Sequence, residues 1–223
     1  SGFVAIIGRT NVGKSSIINQ LVGEKVAAIA NKPQTTRTAI RAIINRESSQ
    51  IIFIDTPGIH KTSTELGRRM VNASYDATKG VDCVLFMTTP VKQVLKGDEI
   101  ILENLKKCRV PVFLVINKVD QLKKFNDIDL TIALYKDLYP FAGVYPISVL
   151  EEKNLDKLLA DIKTVLPFGP KFYPDEMSSD HSDKFLMAEA IREKILYLTH
   201  EEVPHSIACV IDMIKDCEDN PAY

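Results

Sequence analysis

Residues 8–15 form the stretch Gly8-Arg9-Thr10-Asn11-Val12-Gly13-Lys14-Ser15, which fits the pattern G-x-x-x-x-G-K-[ST] at every position. The apolar run at 3–7 precedes it and an apolar-periodic segment at 17–21 follows it, so the stretch has the strand–loop–helix setting that phosphate binding requires. Glycines let successive backbone N–H groups point at phosphate oxygens, and the following helix directs its positive N-terminal end at the same place. An ordinary glycine-containing turn rarely matches eight ordered positions, so the sequence predicts a phosphate-binding loop.

Individual side chains of this loop have expected roles. Lys14 would reach the β- and γ-phosphates of a nucleotide, and the Ser15 hydroxyl would bind Mg²⁺. The residues of the loop that we predict to contact the nucleotide are Gly8, Arg9, Thr10, Asn11, Val12, Gly13, Lys14, Ser15 and Ser16.

The composition is that of an ordinary globular protein: 223 residues, 45% hydrophobic and 26% charged. The net charge of −1 gives no support for nucleic-acid binding by the chain as a whole, although a local basic face stays open. No apolar run approaches the roughly 18 residues of a transmembrane helix, and the start does not resemble a secretory signal. The chain enters a strand directly after Ser1-Gly2, from which we expect a trimmed N-terminus.

Reduced, structural thiols are expected for Cys83, Cys108, Cys209 and Cys217, since none form a C-x-x-C pair.

Short apolar runs alternate with amphipathic segments through most of the chain. The predicted strands are 3–7, 39–45, 50–54, 82–87, 110–116 and 143–147. Among the helical segments is 98–107, whose apolar residues share one face. This alternation predicts an α/β fold with a mostly parallel sheet flanked by helices. In such sheets ligands bind at the carboxyl ends of the strands, where the motifs below all lie.

A second motif, Asp55-Thr56-Pro57-Gly58, comes at the end of the predicted strand 50–54. A carboxylate here can hold Mg²⁺ through its water shell, because Mg²⁺ takes few protein ligands and keeps several waters. Gly58 can bring its backbone N–H close to a γ-phosphate, since it has no Cβ. Alone the motif is a common turn, but downstream of a phosphate loop we predict that all four residues belong to the nucleotide site.

A third motif, Asn117-Lys118-Val119-Asp120, follows the predicted strand 110–116. Asp120 can accept hydrogen bonds from N1–H and the 2-amino group of guanine, and adenine has neither donor in that place. Hydrogen bonds to a charged group contribute about 1.5–3 kcal/mol each. Two of them, together with the penalty for leaving Asp120 unsatisfied, could support discrimination on the order of 10⁴–10⁵. Asn117, Lys118 and Asp120 are therefore predicted to bind guanine, which sets an ATP-using enzyme aside.

Ser148, Val149 and Leu150 follow the last predicted strand and form the least specific of the four motifs. Their backbone N–H groups could reach the O6 atom of guanine. A strand-end serine that caps its own loop explains the same residues nearly as well, and both interpretations stay open.

A polar stretch between Lys25 and Thr38 contains Pro33-Gln34-Thr35-Thr36-Arg37. A threonine in a mobile loop near the phosphates can complete Mg²⁺ coordination while the γ-phosphate is present and release it after hydrolysis. We favour Thr36 over Thr35 for this role. A surface loop that happens to carry hydroxyl groups is the simpler alternative.

Together these motifs resemble the translation-factor class of GTPases and, within it, the Era family. The resemblance is carried by the phosphate loop, Q-T-T-R at 34–37, D-T-P-G at 55–58 and N-K-V-D at 117–120. The family usually has Pro at the position of Thr10 and Ala at that of Val149, and neither change removes a contact that we can name. The resemblance implies GTP and GDP as ligands, Mg²⁺ as cofactor and GTP hydrolysis as the reaction. The residues predicted to serve catalysis are Lys14, Asn11, Thr36 and Gly58.

One position bears on the hydrolytic mechanism. Ras-like enzymes have a Gln directly after the glycine of the second motif, and that Gln orients the attacking water. Here the position is Ile59, which has no hydrogen-bonding group, so slow intrinsic hydrolysis is expected. The resemblance to tRNA-modification GTPases gives the hypothesis that Asn11 helps to hold K⁺ where an arginine finger would act. A loop residue that bonds its own backbone is the alternative for Asn11.

The tail differs from the first domain, which we predict to span 1–166. Three prolines oppose a helix in 167–179, which is predicted to be a stiff, extended linker. Apolar spacing predicts a helix over 182–198, with Ser182 or Asp183 as N-cap, and an alternating strand over 206–214. One helix and one strand cannot bury both their apolar faces, so more chain or a partner must cover them.

The tail also carries a resemblance of its own. The segments at 166–177, 185–195 and 200–206 are similar to the linker and the opening helix and strand of the Era family's C-terminal KH domain. Residues 180–223 are therefore identified as an incomplete KH-like domain. The G-x-x-G loop that clamps single-stranded nucleic acid is absent, because no glycine follows Gly169.

The charged residues of the predicted tail helix do not form a basic patch. Both signs of charge alternate along it, in Lys184, Glu189, Arg192, Glu193 and Lys194. This mixture predicts a solvated face rather than an RNA-binding surface.

The leading hypothesis is a GTP-hydrolysing switch whose two states differ in the loops 25–38 and 58–64. An Era-like protein is expected to bind small-subunit rRNA near its 3′ end through a complete KH domain, to act in small-subunit assembly and to have no DNA partner. The resemblance also implies a cytoplasmic location with peripheral association at the inner face of the cell membrane. The alternatives are a nucleotide-gated protein-interaction module and an assembly GTPase of the same superfamily with another RNA target.

Overall fold

The computed structural model describes residues 1–29, 35–36, 39–59, 65–122, 126–199 and 207–214, and it places six strands in one sheet. The strands are β1 (Gly2–Gly8), β2 (Ile40–Arg46), β3 (Ser49–Asp55), β4 (Cys83–Thr88), β5 (Val112–Ile116) and β6 (Gly143–Pro146). The helices are α1 (Lys14–Val22), α2 (Glu65–Asp76), α3 (Lys96–Leu105), α4 (Asn126–Lys136), α5 (Leu155–Val165) and α6 (Asp183–Leu198). A 3₁₀ turn occupies Val119–Gln121.

The sheet has the strand order β2-β3-β1-β4-β5-β6. All neighbouring strands run parallel except β2, which pairs antiparallel with β3 and forms one edge. The carboxyl ends of the five parallel strands therefore meet at a single edge of the sheet. That edge carries the phosphate loop, D-T-P-G, N-K-V-D and the Ser148 loop, so the fold brings the four sequence motifs together.

Helices cover both faces of the sheet, and β1 shows how one strand serves two cores. Val4 and Ile6 pack in a cluster with apolar residues of α1 and α5, while Ala5 and Ile7 pack with those of α3 and α4. All four side chains are fully buried. Successive side chains of a strand point to opposite faces, which explains why a strand buried on both sides is a continuous apolar run.

The predicted α/β class is confirmed, and every predicted strand of the sheet is present with its ends displaced by two residues at most. The largest displacement is at β5, which was predicted from 110 and begins at Val112. Pro111 precedes it and has no N–H to give to a neighbouring strand, although its carbonyl accepts from Val84 N–H at 2.9 Å.

The segment predicted as a stiff, extended linker contains no helix, as its prolines led us to expect, and it is attached to the sheet. Ile43 N–H of the edge strand donates to the Ser178 carbonyl at 2.8 Å, and Ala42 forms an antiparallel bridge with Ser179. The buried Gln50 bonds the backbone of Tyr173 through both ends of its amide. The segment therefore covers the exposed edge of β2, which would otherwise present unpaired backbone groups. The domain boundaries at 166 and 180 stay predictions.

The tail helix is α6, and Ser182 is its N-cap, because Ser182 Oγ accepts a hydrogen bond from Phe185 N–H. The strand predicted over 206–214 is wrong for its described part, since 207–214 have no regular secondary structure. Alternating apolar residues are typical of a strand, but a strand also needs a neighbouring strand to pair with. No strand of the described sheet pairs with this segment.

The cysteines of the described residues are free thiols, namely Cys83, Cys108 and Cys209. Burial in the core raises the pKa of the Cys83 thiol to about 12, which keeps it protonated and unreactive. Cys217 lies outside the described residues.

Candidate nucleotide-binding site

Three oxygen-bearing side chains meet where α1 begins and β3 ends. Asp55 Oδ2 accepts hydrogen bonds from Ser15 Oγ at 2.6 Å and Thr36 Oγ1 at 3.2 Å, and the two hydroxyl oxygens are 3.0 Å apart. Asp55 is fully buried, and its Oδ1 atom has no hydrogen-bond partner among the described residues. Burial raises the pKa of this carboxyl, against the opposing effects of Lys14 and the two hydroxyl groups. The fold thus gathers all three predicted metal ligands, and oxygens of this kind suit Mg²⁺.

Lys14 is buried beneath the phosphate loop. Its Nζ donates to the carbonyl oxygens of Gly8 at 3.2 Å and Arg9 at 2.9 Å. Burial lowers its pKa to about 8, Asp55 opposes the shift, and Arg9 adds to it. The ammonium group therefore lies within the loop, where an anion would relieve its desolvation.

The D-T-P-G segment crosses the phosphate loop at close range. A Cβ on Gly58 would lie 2.7 Å from Thr10 Cα and 2.9 Å from Thr10 N, so only glycine fits here. The next residue, Ile59, donates its N–H to the Gly8 carbonyl at 3.1 Å, and its side chain is buried in the core. The Thr56 hydroxyl donates to the Ile6 carbonyl at 2.6 Å, so its side chain fixes the segment to β1 rather than facing the loop.

Asn117 connects the phosphate loop with the Ser148 loop. Its Nδ2 donates to the Val12 carbonyl at 2.9 Å, and its Oδ1 accepts from Val149 N–H at 3.1 Å. Gly13 has a φ of 103°, and a Cβ there would lie 2.3 Å from Asn117 Nδ2. The side chain predicted to bind guanine therefore holds two loops in register, a role that the motif alone did not reveal.

Asp120 lies in the 3₁₀ turn after β5, and its Oδ1 accepts from Ser148 Oγ at 2.6 Å. Ser148 is fully buried, and its hydroxyl oxygen also accepts from Glu151 N–H at 3.1 Å. The bond from Glu151 N–H matches the interpretation in which Ser148 caps its own loop, and the contact of backbone N–H groups with guanine O6 stays a prediction. The Ser148 hydroxyl also orients the carboxylate predicted to recognise guanine. This second function of its hydroxyl was not expected from the sequence.

A cavity of about 760 Å³ opens beside these loops. It is lined by Gly13 and Ser16 of the phosphate-loop region, by Asp120, and by the mostly exposed Leu150. The predicted residues Asn117, Lys118 and Val149 also line it. A cavity of this size suits a small-molecule ligand.

A buried polar cluster that the sequence did not predict supports the phosphate loop from outside the motifs. Arg9 Nε donates to Asp98 Oδ1 at 2.9 Å, and Asp98 Oδ2 accepts from Tyr135 Oη at 2.5 Å and Thr88 Oγ1 at 3.2 Å. Asp98 is fully buried. In the sequence it is an acidic residue in the first turn of an apolar helix, which is also what the helix dipole alone would favour.

The solvated mixed face predicted for α6 is wrong at its centre. Lys184 and Lys194 are exposed, but Arg192 and Glu193 are 3% and 5% exposed. They contact residues of the 25–36 region, and Glu193 and Tyr197 line the same cavity as Asp120. Charge alternation along a helix does not reveal a neighbour that supplies complementary charges.

Parts of the two predicted switch loops are outside the described residues. These are 30–34 and 37–38, which include Pro33, Gln34 and Arg37, and 60–64. The Thr36 hydroxyl contacts Ser15 and Asp55, and the choice of Thr36 over Thr35 as magnesium ligand stays a prediction.

Comparison with known proteins agrees with these features. The family model for a 50S ribosome-binding GTPase matches residues 3–118. GTPase Era of Clostridium tetani is 48% identical over 219 residues, which are 98% of this chain and 74% of that protein. GTPase Era of Clostridium perfringens is 47% identical over 223 residues, all of this chain and 75% of the relative.

The backbone of this chain is also similar to that of solved Era structures. A crystal structure of an Aquifex aeolicus Era variant bound to GDP·AlF₄⁻ is 39% identical with a TM-score of 0.91, covering 99% of this chain and 75% of the other. A crystal structure of Era with MgGDPNP and nucleotides 1506–1542 of 16S ribosomal RNA has the same identity and TM-score, with coverages of 99% and 74%.

Proposed function

This chain belongs to the Era family of GTPases and hydrolyses GTP, and from that premise we propose that it is a GTP/GDP switch in small-ribosomal-subunit assembly that binds small-subunit rRNA near its 3′ end. The observation that carries the proposal is the likeness to an Era structure holding 16S rRNA nucleotides, which spans 99% of this chain and therefore includes α6.

The residues around the phosphate loop suit a polyphosphate with Mg²⁺. Lys14 would turn from the carbonyls of Gly8 and Arg9 to the β- and γ-phosphates. Ser15 and Asp55 would hold Mg²⁺, and Thr36 would join them while the γ-phosphate is present. Held by these residues, Mg²⁺ would neutralise charge on the phosphates.

Guanine recognition is assigned to Asp120, with Ser148 as its positioning partner. The 2.6 Å hydrogen bond from Ser148 leaves Asp120 Oδ2 and further lone pairs for the N1–H and 2-amino donors of the base. Asn117 keeps the base-contacting loop beside the phosphate loop. Backbone N–H groups of Ser148, Val149 and Leu150 are proposed to face O6.

Hydrolysis here proceeds without a glutamine at the usual water-orienting position. Ile59 is buried and apolar, so it contributes nothing polar to the attacking water. We therefore propose slow intrinsic turnover, with Asn11 helping to hold K⁺ near the phosphates. Asn11 has a left-handed backbone with φ of 61° in the phosphate loop, a conformation that asparagine tolerates well.

The proposed location is cytoplasmic with peripheral association at the inner membrane face, and it rests on the family resemblance alone. Among the described residues, no helix is long and apolar enough to cross a membrane.

The experiment measures binding of a labelled oligonucleotide with the sequence of the 3′ end of small-subunit rRNA. Full-length natural protein with a non-hydrolysable GTP analogue should bind it, the same protein with GDP should bind more weakly, and the 223-residue chain should bind little. A scrambled oligonucleotide is the control. Absence of specific binding by the full-length protein would refute the rRNA proposal and favour a nucleotide-gated protein-interaction module.

A further inference from the structure

Helix α6 of the tail forms part of the wall of the nucleotide cavity. The cavity is lined by Gly13 and Asp120, whose loops receive phosphate and base, and by Lys25 and Ile29. From the tail, Glu193 and Tyr197 complete the lining. Lys25 and Glu193, which are 168 positions apart in the chain, therefore line the same cavity.

Glu193 bonds two of the other lining residues at once. Its Oε1 accepts from Lys25 Nζ at 2.5 Å, and its Oε2 accepts from Ile29 N–H at 2.7 Å. The side chain of Glu193 is 7% exposed, against 43% for Lys25. A buried carboxylate with two charge-assisted hydrogen bonds holds its partners strongly, because both bonds are partly shielded from water.

The adjacent residue, Arg192, bonds the same region further along the chain. Its Nη2 donates to the Thr35 carbonyl at 2.5 Å, directly before the predicted metal ligand Thr36, and also to Glu189. Glu193 of α6 therefore bonds Lys25 and Ile29 at the start of the segment 25–36, and Arg192 bonds Thr35 near its end.

We propose that Glu193 is a positioning residue of the nucleotide site, which holds Lys25 and Ile29 closed against the bound nucleotide and thereby slows its release. The inference rests on the proposed binding of guanine nucleotide in this cavity. Glu193→Gln should open the wall, because the amide can offer only one acceptor oxygen and places its NH₂ group against a donor. The residence time of GDP then depends on the tail, although every sequence motif of the site lies before residue 151.

The experiment measures dissociation of fluorescent GDP from the 223-residue chain by stopped flow. Glu193→Gln should release GDP about tenfold faster, which is what losing about 1.4 kcal/mol gives. The matched control is Glu103→Gln, which removes the same charge from an exposed glutamate paired with Lys106 at 2.6 Å on α3. It should leave the rate unchanged.

Two further variants separate positioning from simple attachment of the tail. Glu193→Asp keeps the charge and should restore part of the wild-type rate. Lys25→Gln combined with Glu193→Gln should have less than the sum of the single effects, since both disrupt one pair. The inference is overturned if Glu193→Gln with an unchanged melting temperature releases GDP within twofold of wild type. Failure of the wild-type chain to bind GDP would instead overturn the proposed function.

Discussion

At the level of single residues, the site holds two groups whose charges are unfavourable until ligands arrive. Burial lowers the pKa of Lys14 and raises that of Asp55, so in both cases it disfavours the charged form. A polyphosphate would favour the charged lysine, and Mg²⁺ would favour the charged carboxylate. Ligand binding therefore offsets part of the free energy that burying these two charged groups costs the protein.

The lowered pKa of Lys14 predicts how GDP affinity varies with pH. Bound phosphate raises this pKa above its free value of about 8, so binding takes up a proton wherever free Lys14 has lost one. Affinity should be nearly constant below about pH 8 and fall above it, by up to about tenfold per pH unit. Calorimetry at about pH 7 and pH 9 in buffers of different ionisation enthalpy would detect the proton. A constant affinity and no proton uptake would contradict the assignment of Lys14.

Asp120→Asn tests base recognition. The amide replaces an acceptor with a donor, which suits the C2 carbonyl of xanthine and opposes the 2-amino group of guanine. GTP affinity should fall by roughly 10²–10⁴, the loss of two charged hydrogen bonds, and xanthosine triphosphate should bind better than it does to wild type. Asp137→Asn, at an exposed position after α4, is the control. Unchanged GTP affinity in Asp120→Asn would refute the assignment.

At the level of elements, the sequence predicted most of the fold because strands buried on both faces are apolar runs, as β1 and β4 show. The motif residues Ser15, Asp55 and Asp120 were found because phosphate, metal and base each demand particular atoms. The Ser148–Asp120 bond and the buried Asp98 were missed, since they depend on pairs of residues that only the tertiary structure brings together.

The tail shows the limit of local patterns most clearly. Helical spacing located α6 correctly, and Ser182 was one of its two predicted caps. The mixed charges of this helix predicted that Arg192 and Glu193 are exposed, but both are buried. Their partners lie more than 150 residues earlier in the chain. The predicted strand failed for the same reason, because strand formation is decided by a neighbour rather than by alternation.

At the level of the whole molecule, the segment after α5 joins the tail to the edge of the sheet, and α6 then returns to the nucleotide cavity. Gln50 is the central connection: Nε2 donates to the Tyr173 carbonyl at 2.8 Å, and Oε1 accepts from the N–H groups of Phe172 and Tyr173 at 2.8 and 3.0 Å. The side chain is fully buried. Attachment of this segment should therefore limit how far α6 can move from the cavity.

Gln50→Leu should release the segment while keeping a side chain of similar size in the core. Two N–H groups, the Tyr173 carbonyl and Asn45 Oδ1 would lose their bond to Gln50. This should lower the free energy of unfolding by about 2–3 kcal/mol and the melting temperature by roughly 5–10 °C. Cleavage within 167–179 in limited proteolysis should accelerate. The matched control is Gln93→Leu, the same change at an exposed position, which should alter neither. If Gln50→Leu leaves proteolysis of 167–179 unchanged, other contacts hold the segment, among them the hydrogen bond from Ile43 N–H to the Ser178 carbonyl, and the central role of Gln50 is refuted.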